Sequence, residues 1–358
     1  MTLFKDMLGS EESLIRDDIP LDYSYMPKLV LHREAQQKYI ASCIMPLFQK
    51  RNGKNLLIYG KPGIGKTLIT NHVLDAIDEE EVEEEVIPIY INCWQKNTNF
   101  KIILEICKKL DYKFTQNKNT DELFEIVKQM LNKKSVVFCF DEIDKIENLD
   151  MVYSILEEVY RKTIIFLTNH KSYIDNIDHR LKSRLMLDLL EFKPYNFEQT
   201  KDILKERIRY AFVDNVWEED AFELIARKTS ENEDIRTGLF MIKESAKIAE
   251  ERASRKITVD DTQKAINKAD EVNIRSSDDL EDETKSILNI IKNNSGIKMG
   301  ELHKLYLEKG GRQAYKTFTR KIKKLEDGNF VTCKKIEGGP EGNFTVVNYA
   351  KTKKLTEF

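Results

Sequence analysis

No Cys-x-x-Cys pair and no two histidines four residues apart occur in this sequence, whose five cysteines and five histidines are scattered. That pattern excludes a small disulfide-stapled scaffold, argues against zinc and favours a reducing compartment. Long apolar runs are missing as well: the longest, over 86–91, is interrupted by Pro88 and falls far short of the ~18 residues a membrane span needs. Asp6, Glu11 and Glu12 come before any signal-like core could form. A cytoplasmic protein with no membrane partner is expected. Glycine, at 14, and proline, at 7, are too few for a collagenous or low-complexity chain.

What remains is a globular, helix-leaning composition, 41% apolar and 33% charged, in 358 residues, length enough for two or three domains. The net charge of −3 hides an asymmetry: residues 281–358 carry 16 Lys/Arg against 10 Asp/Glu, so the tail is the basic end. One charge run, seven acids in the eight positions 78–85, reads as a solvated loop.

The apolar run Leu56–Tyr59 enters a glycine-rich stretch, after which Leu68, Ile69, Val73, Leu74 and Ile77 recur at helical spacing. Further strands are expected over 86–91, 136–140, 163–167 and 187–192, with helices over 100–110, 120–131 and 149–160 between them. Asn119 and Glu122 form a candidate capping box. Such alternation predicts a parallel sheet covered on both faces, an α/β fold. After Pro194 the pattern turns wholly helical, with a last helix opened by Thr258 and Asp261. Periodicity lapses over 272–282, which reads as a linker. Three short helices and two alternating strands, 330–335 and 344–349, follow, the strands flanking a glycine-rich loop over 337–343. The expected domains are 1–195, 196–272 and 273–358, the last a winged helix.

Gly60-Lys-Pro62-Gly63-Ile64-Gly65-Lys66-Thr67 fits G-x-x-x-x-G-K-[ST] between a strand and a helix. Its glycines let backbone N–H groups turn inward around phosphate oxygens, and the helix N-terminus adds partial positive charge. Lys66 is expected to meet the β- and γ-phosphates of ATP and Thr67 to ligate Mg2+. Strand 136–140 runs into Asp141, a second Mg2+ carboxylate, and Glu142, placed to orient the attacking water. Asp144 and Glu147 read as solvated loop acids. Asn169, the amide that ends the next apolar run, is expected to position that water.

Together with Pro27-Lys-Leu-Val-Leu-His-Arg-Glu34, Ile91-Asn-Cys93 and Phe192-Lys-Pro-Tyr195, these motifs resemble the archaeal origin-recognition and cell-division-control initiators, a family of AAA+ ATPases. The resemblance spans roughly 22–349. It implies an AAA+ P-loop sheet with a helical lid and a C-terminal winged helix, binding ATP or ADP. It assigns Asn169 to sensor one, Arg184 to an arginine finger offered to a neighbouring subunit, Arg236 to the sensor-two helix, and Tyr195 and Arg207 to nucleotide contacts. A guanidinium suits such sites because it neutralises charge spread over phosphoryl oxygens. Residues 99–110 match an initiator-specific helical element that can press on DNA, where Lys101, Lys108 and Lys109 stand.

Over 312–326, Ala314, Phe318, Ile322 and Leu325 make an apolar stripe, while Arg312, Lys316, Thr319, Arg320 and Lys323 share the opposite face. With Lys334 and Lys335, residues 312–335 hold eight Lys/Arg against two acids, an electrostatic footprint for double-stranded DNA. The tip of that loop, 338–343, departs from the family, having no arginine and including an acid, Glu341, so the recognition helix is expected to bear more of the binding. The function implied is an initiator that binds origin DNA, helps recruit the replicative helicase of the minichromosome-maintenance type, self-associates or joins a paralogue on DNA, and uses ATP as a conformational switch. A transcriptional or replication regulator of the same build is the alternative. A clamp-loader-like ATPase fits less well, given the winged helix and the Pro27 segment.

Overall fold

The computed structural model describes residues 13–79, 86–278, 282–309, 311, 313–327, 330–339 and 342–349, which fall into two compact units, Met1–Ile266 and Asn267–Phe358.

In the first unit five strands, β1 (Leu56–Tyr59), β2 (Val86–Asn92), β3 (Ser135–Asp141), β4 (Lys162–Thr168) and β5 (Asp188–Glu191), form one parallel sheet in the order β2-β3-β4-β1-β5. Every residue of β3 is buried, as expected of a central strand with both faces covered. Helices α1 (Glu34–Ile44), α2 (Lys66–Glu79), α3 (Asn99–Lys109), α4 (Thr120–Leu131) and α5 (Asp150–Glu158) supply the cover. One core holds Leu57, Ile89, Phe138, Phe140 and Phe166 with Ile102, Ile106 and Val127. The other holds Leu56, Ile58, Cys139 and Ile165 with Ile40, Ile69 and Leu74. At α4 the capping box is complete, Glu122 N–H donating to Asn119 Oδ1 and Asn119 N–H to Glu122 Oε2, both at 2.9 Å.

Residues 179–185 form a short helix, α6 (His179–Leu185), in which Leu181 and Leu185 are buried and Asp178 caps the first turn. The lid is α7 (Phe197–Ala211), α8 (Glu219–Asn232), α9 (Ile235–Glu251) and, up to Ile266, the first part of α10 (Val259–Asp278). Asn196 and Gln199 form a capping box at the start of α7. At α10 only half of the expected box exists: the Thr258 N–H and hydroxyl both donate to Asp261 at 2.8 Å, and Arg252 takes the rest of that buried carboxylate. Helix α10 also runs to Asp278, through most of the stretch read as a linker. Asn, Ser and Asp each cost only a few tenths of a kcal/mol in a helix that is already nucleated.

An N-terminal segment lies along the lid. Arg16 and Asp17 N–H groups donate to Ala211 O, and Leu14 N–H donates to Glu250 Oε1 at 2.8 Å.

The second unit contains α11 (Asp282–Asn293), β6 (Ile297–Lys298), α12 (Met299–Glu308), α13 (Tyr315–Asp327), β7 (Val331–Gly339) and β8 (Gly342–Tyr349), with an antiparallel sheet ordered β6-β8-β7. Helix–strand–helix–helix–strand–strand is the order of a winged helix. Its core gathers Ile287, Ile291, Leu302, Phe318, Ile322, Leu325 and Val347. Much of the glycine-rich loop expected over 337–343 is strand, while Pro340 and Glu341 lie outside the described residues.

Candidate functional site

The register of the large sheet brings the motifs to one edge. Tyr59 pairs with Thr168, so Gly60 and Asn169 leave neighbouring strands side by side at their carboxyl ends. Asn92 pairs with Asp141, which sets β2 beside the acidic end of β3.

Gly60 (φ +150), Gly63 (φ +72) and Gly65 (φ +90) all take backbone conformations that side-chain-bearing residues avoid, and the loop they form feeds directly into α2. The first N–H groups of α2 have no intrahelical acceptor, so they face the loop's concavity with the helix dipole behind them. Lys66 Nζ donates to Gly60 O (2.8 Å), Lys61 O (2.7 Å) and Asn169 Oδ1 (2.8 Å). Burial pushes the Lys66 ammonium down to about 8, only partly offset by the Asp141 carboxylate and reinforced by the positive charge of Arg236. A buried cation surrounded by neutral oxygens fits an anionic phosphate.

Thr67 Oγ1 donates to Asp141 Oδ2 at 2.7 Å. A hydroxyl that keeps its acceptor lone pairs beside a carboxylate is a hard-oxygen donor set, which fits Mg2+. Glu142, in left-handed backbone (φ 53), donates its N–H to Asp141 Oδ1 at 2.9 Å, and burial together with Asp141 and Asp144 raises its carboxyl above the usual range. Asp144, read from sequence as a solvated loop acid, is tied into the site's wall. It accepts from Thr168 Oγ1 at 2.9 Å and pairs with Lys145 at 3.0 Å. Burial pushes its carboxyl up, but those bonds outweigh burial and leave it lowered. Glu147 is exposed, as expected.

The lid meets the loop at the N-terminus of α9. A Cβ on Gly63 would stand 1.9 Å from Asp234 Oδ1, so only glycine leaves room for that carboxylate. Ile235 N–H donates to Gly63 O at 3.3 Å, and Lys61 pairs with Glu233. Arg236 Nε lies 3.6 Å from Asp234 Oδ1, and its charge bears on both Lys66 and Glu142. Tyr195 rests its hydroxyl 3.1 Å from the position of a Gly65 Cβ. Arg33 stacks on the Tyr195 ring at 4.0 Å and donates to Ile64 O and Lys193 O, joining the loop to the start of the lid. Pro62 stands at the loop's turn.

Two arginines have other neighbours. Arg207 is buried in α7, donates to Pro20 O and Tyr25 O and stacks on Tyr25 at 4.8 Å, so its described bonds anchor the N-terminal segment. Arg184 is exposed on α6 and bonds Tyr153 Oη at 2.9 Å and Glu157, both on α5.

In the second unit Phe318, Ile322 and Leu325 are buried, while Lys316, Arg320 and Lys323 are exposed on the other side of α13. Thr319, on the same side, is half-buried and donates its hydroxyl to Tyr315 O at 2.8 Å. Ala314 is not in the stripe. It is exposed before the first turn, its carbonyl accepting from Thr317 and Phe318 N–H groups. Lys334 is exposed on β7, whereas Arg312 and the Lys335 side chain lie outside the described residues. On α3, Lys101 donates to Asn97 and Lys108 pairs with Glu105.

Tyr90, Arg33 and Asp234 were not singled out in the sequence as site residues. A tyrosine inside an apolar strand reads as core, and nothing in its spacing from Asp141 marks the contact they make.

Comparison with known proteins follows these features. The NB-ARC domain family matches residues 36–193, and the Cdc6 AAA+ ATPase-type lid domain family matches 201–267. The ORC1-type DNA replication protein 1 of Archaeoglobus fulgidus is 31% identical over 75% of this chain and 68% of its own. Its counterpart from Sulfolobus acidocaldarius is 28% identical over 92% and 89%. The structure of the Aeropyrum pernix ORC1 protein in complex with DNA superposes with a TM-score of 0.70 at 23% identity, covering 95% of this chain and 94% of that one. The ORC2 protein of the same organism, in ADPNP–ADP complexes, gives 0.70 at 18% identity over 94% of each chain. Both likenesses establish the fold.

Proposed function

Given that this chain belongs to the ORC1-type DNA replication protein family of AAA+ initiators, we propose that it binds origin DNA as double strand through its winged helix and AAA+ core, helps recruit the replicative minichromosome-maintenance helicase, and uses ATP as a conformational switch. One observation carries the nucleotide half of this reading: Lys66, Thr67, Asp141 and Asn169 are hydrogen-bonded to one another in two pairs at one edge of the sheet, with the lid's Asp234 against the same loop.

Lys66 and the loop N–H groups hold the phosphates; Thr67 and Asp141 would hold Mg2+, which would supply charge neutralisation there. Glu142 orients the attacking water and accepts its proton, with Asn169 aligning it. Arg236 reports the γ-phosphate to the lid from the same chain, and Arg184 stabilises charge on a neighbour's nucleotide. Turnover by a lone subunit is therefore slow. Because ATP is gripped by loop and lid together, its loss as ADP changes how firmly Asp234 and Arg236 are held, which is the switch. The exposed lysines and arginine of α13 anchor the DNA backbone. Relatives named as replication proteins, and a neighbour whose structure contains DNA, support the partner.

Genome-wide occupancy tests this directly. One or a few origin-like peaks, lost in Lys66→Ala, are expected. Occupancy spread over many promoters would give the role of transcriptional regulator instead.

A further inference from the structure

Asp141 is 5% exposed and both of its oxygens are occupied. Oδ1 accepts from Glu142 N–H at 2.9 Å; Oδ2 accepts from Thr67 Oγ1 and from the phenol of Tyr90, each at 2.7 Å. The β2–β3 register explains the third bond: Tyr90 pairs with Cys139, two residues before Asp141 and on the same face of the sheet, so the ring lies along β3 and its hydroxyl ends at the carboxylate. We infer that Tyr90 is a positioning residue of the metal site, its O–H fixing the rotation of the Asp141 carboxylate so that this oxygen faces an ion bound beside Thr67. The inference rests on the nucleotide reading above.

Packing alone does not require this hydroxyl. The ring lies against the core that holds Ile69, Leu74 and Cys139, where a phenylalanine would fit equally well. A hydroxyl partly withdrawn from water is costly unless it is bonded, and this one has a carboxylate as partner. Without this hydroxyl, Asp141 keeps the Thr67 bond, but Oδ2 loses the contact that ties it to the sheet. Thr67 stands on the first turn of α2, whereas Tyr90 belongs to strand β2 of the sheet. Removing partners of this kind from metal ligands weakens metal affinity by ~10–100-fold.

The test is Tyr90→Phe in the full chain, with ADP affinity measured by calorimetry against Mg2+ concentration and again in EDTA. The half-saturating Mg2+ concentration should rise about tenfold, while ADP affinity in EDTA and the thermal midpoint stay at wild-type values. In an Asp141→Asn background the same substitution should have no further effect on Mg2+ dependence. An unchanged or lowered Mg2+ requirement would overturn the inference. So would equal losses of affinity with and without metal, which would mean that the hydroxyl merely supports the fold. Absence of nucleotide binding by the wild-type chain would instead remove the nucleotide reading, and the inference with it.

Discussion

Lys66 and Asn169, 103 residues apart in the chain, are joined directly, ammonium to amide oxygen, at 2.8 Å. The amide read from sequence as a water-positioning group is thus also a hydrogen-bond partner of the P-loop lysine. On the proposed nucleotide reading, a γ-phosphate arriving between them would exchange a neutral acceptor for a charged one and free Asn169 to turn toward water. Asn169→Ala should therefore leave ADP affinity near wild type while turnover in assembled complexes falls by ~100-fold, the scale of losing one aligned transition-state donor. Steady-state phosphate release set beside ADP titrations checks both halves; an equal fall in the two would put Asn169 in ground-state binding.

The ionisation of Lys66 sets a pH dependence. Its folded value is about 8 against 10.5 for a free lysine, chiefly through burial. Between these values the unfolded chain binds more protons than the folded one, so this group's contribution to stability rises with pH across that window. Below about pH 8 it is a fixed penalty, and Lys66→Met should raise the thermal midpoint of nucleotide-free protein at about pH 7. Phosphate restores the charged form, so nucleotide binding should take up close to one proton near pH 9 and almost none near pH 7. Calorimetry in buffers of different ionisation enthalpy measures the uptake; none at pH 9 would contradict the assignment.

Glu142→Gln should keep ATP affinity within about twofold and cut hydrolysis by ~100-fold or more, because the proton acceptor is lost while the Asp141 contact is made by the backbone N–H of the same residue. Lys66→Ala should instead lose affinity. Nucleotide titration of the two variants separates the phenotypes.

Arg184 is held by Tyr153 and Glu157 of its own chain, on α5. If it serves a neighbour's nucleotide, Arg184→Ala and Glu142→Gln subunits, each inactive as a pure assembly, should regain hydrolysis when mixed. Lack of complementation in mixed assemblies would return Arg184 to its ordinary role as a surface ion-pair partner.

On α13, removing Lys316, Arg320 and Lys323 together should weaken DNA binding and lower the slope of log affinity against log salt by about 2 to 3, at ~0.9 per phosphate. The fold should survive, since Phe318, Ile322 and Leu325 on the far side are untouched. Weaker binding with an unchanged slope would assign these side chains to base edges, and binding unchanged in both respects would move the footprint to α3.

Much of this protein is determined by local sequence. The order of strands and helices follows from alternating periodicity, the P-loop from three glycines that must take positive φ, and the Asn119 box from side-chain reach over three residues, all of which involve neighbours within a turn or two. What the local sequence left unassigned or misread lies where its signals are weak. Helix α6 is too short to show a period, and its seven residues fold because Leu181 and Leu185 reach the core. The Asn and Ser of 272–278 are poor helix formers, yet they are carried along by the helix already begun at Val259. What only tertiary structure decided is which distant groups share a carboxylate or an ammonium: Tyr90 with Asp141, Asn169 with Lys66, Asp234 with Gly63. These contacts depend on strand register and on where the lid returns to the loop. These partners stand 51, 103 and 171 positions apart in sequence, and a side chain's type records what it can bond but not which distant group the fold will bring to it.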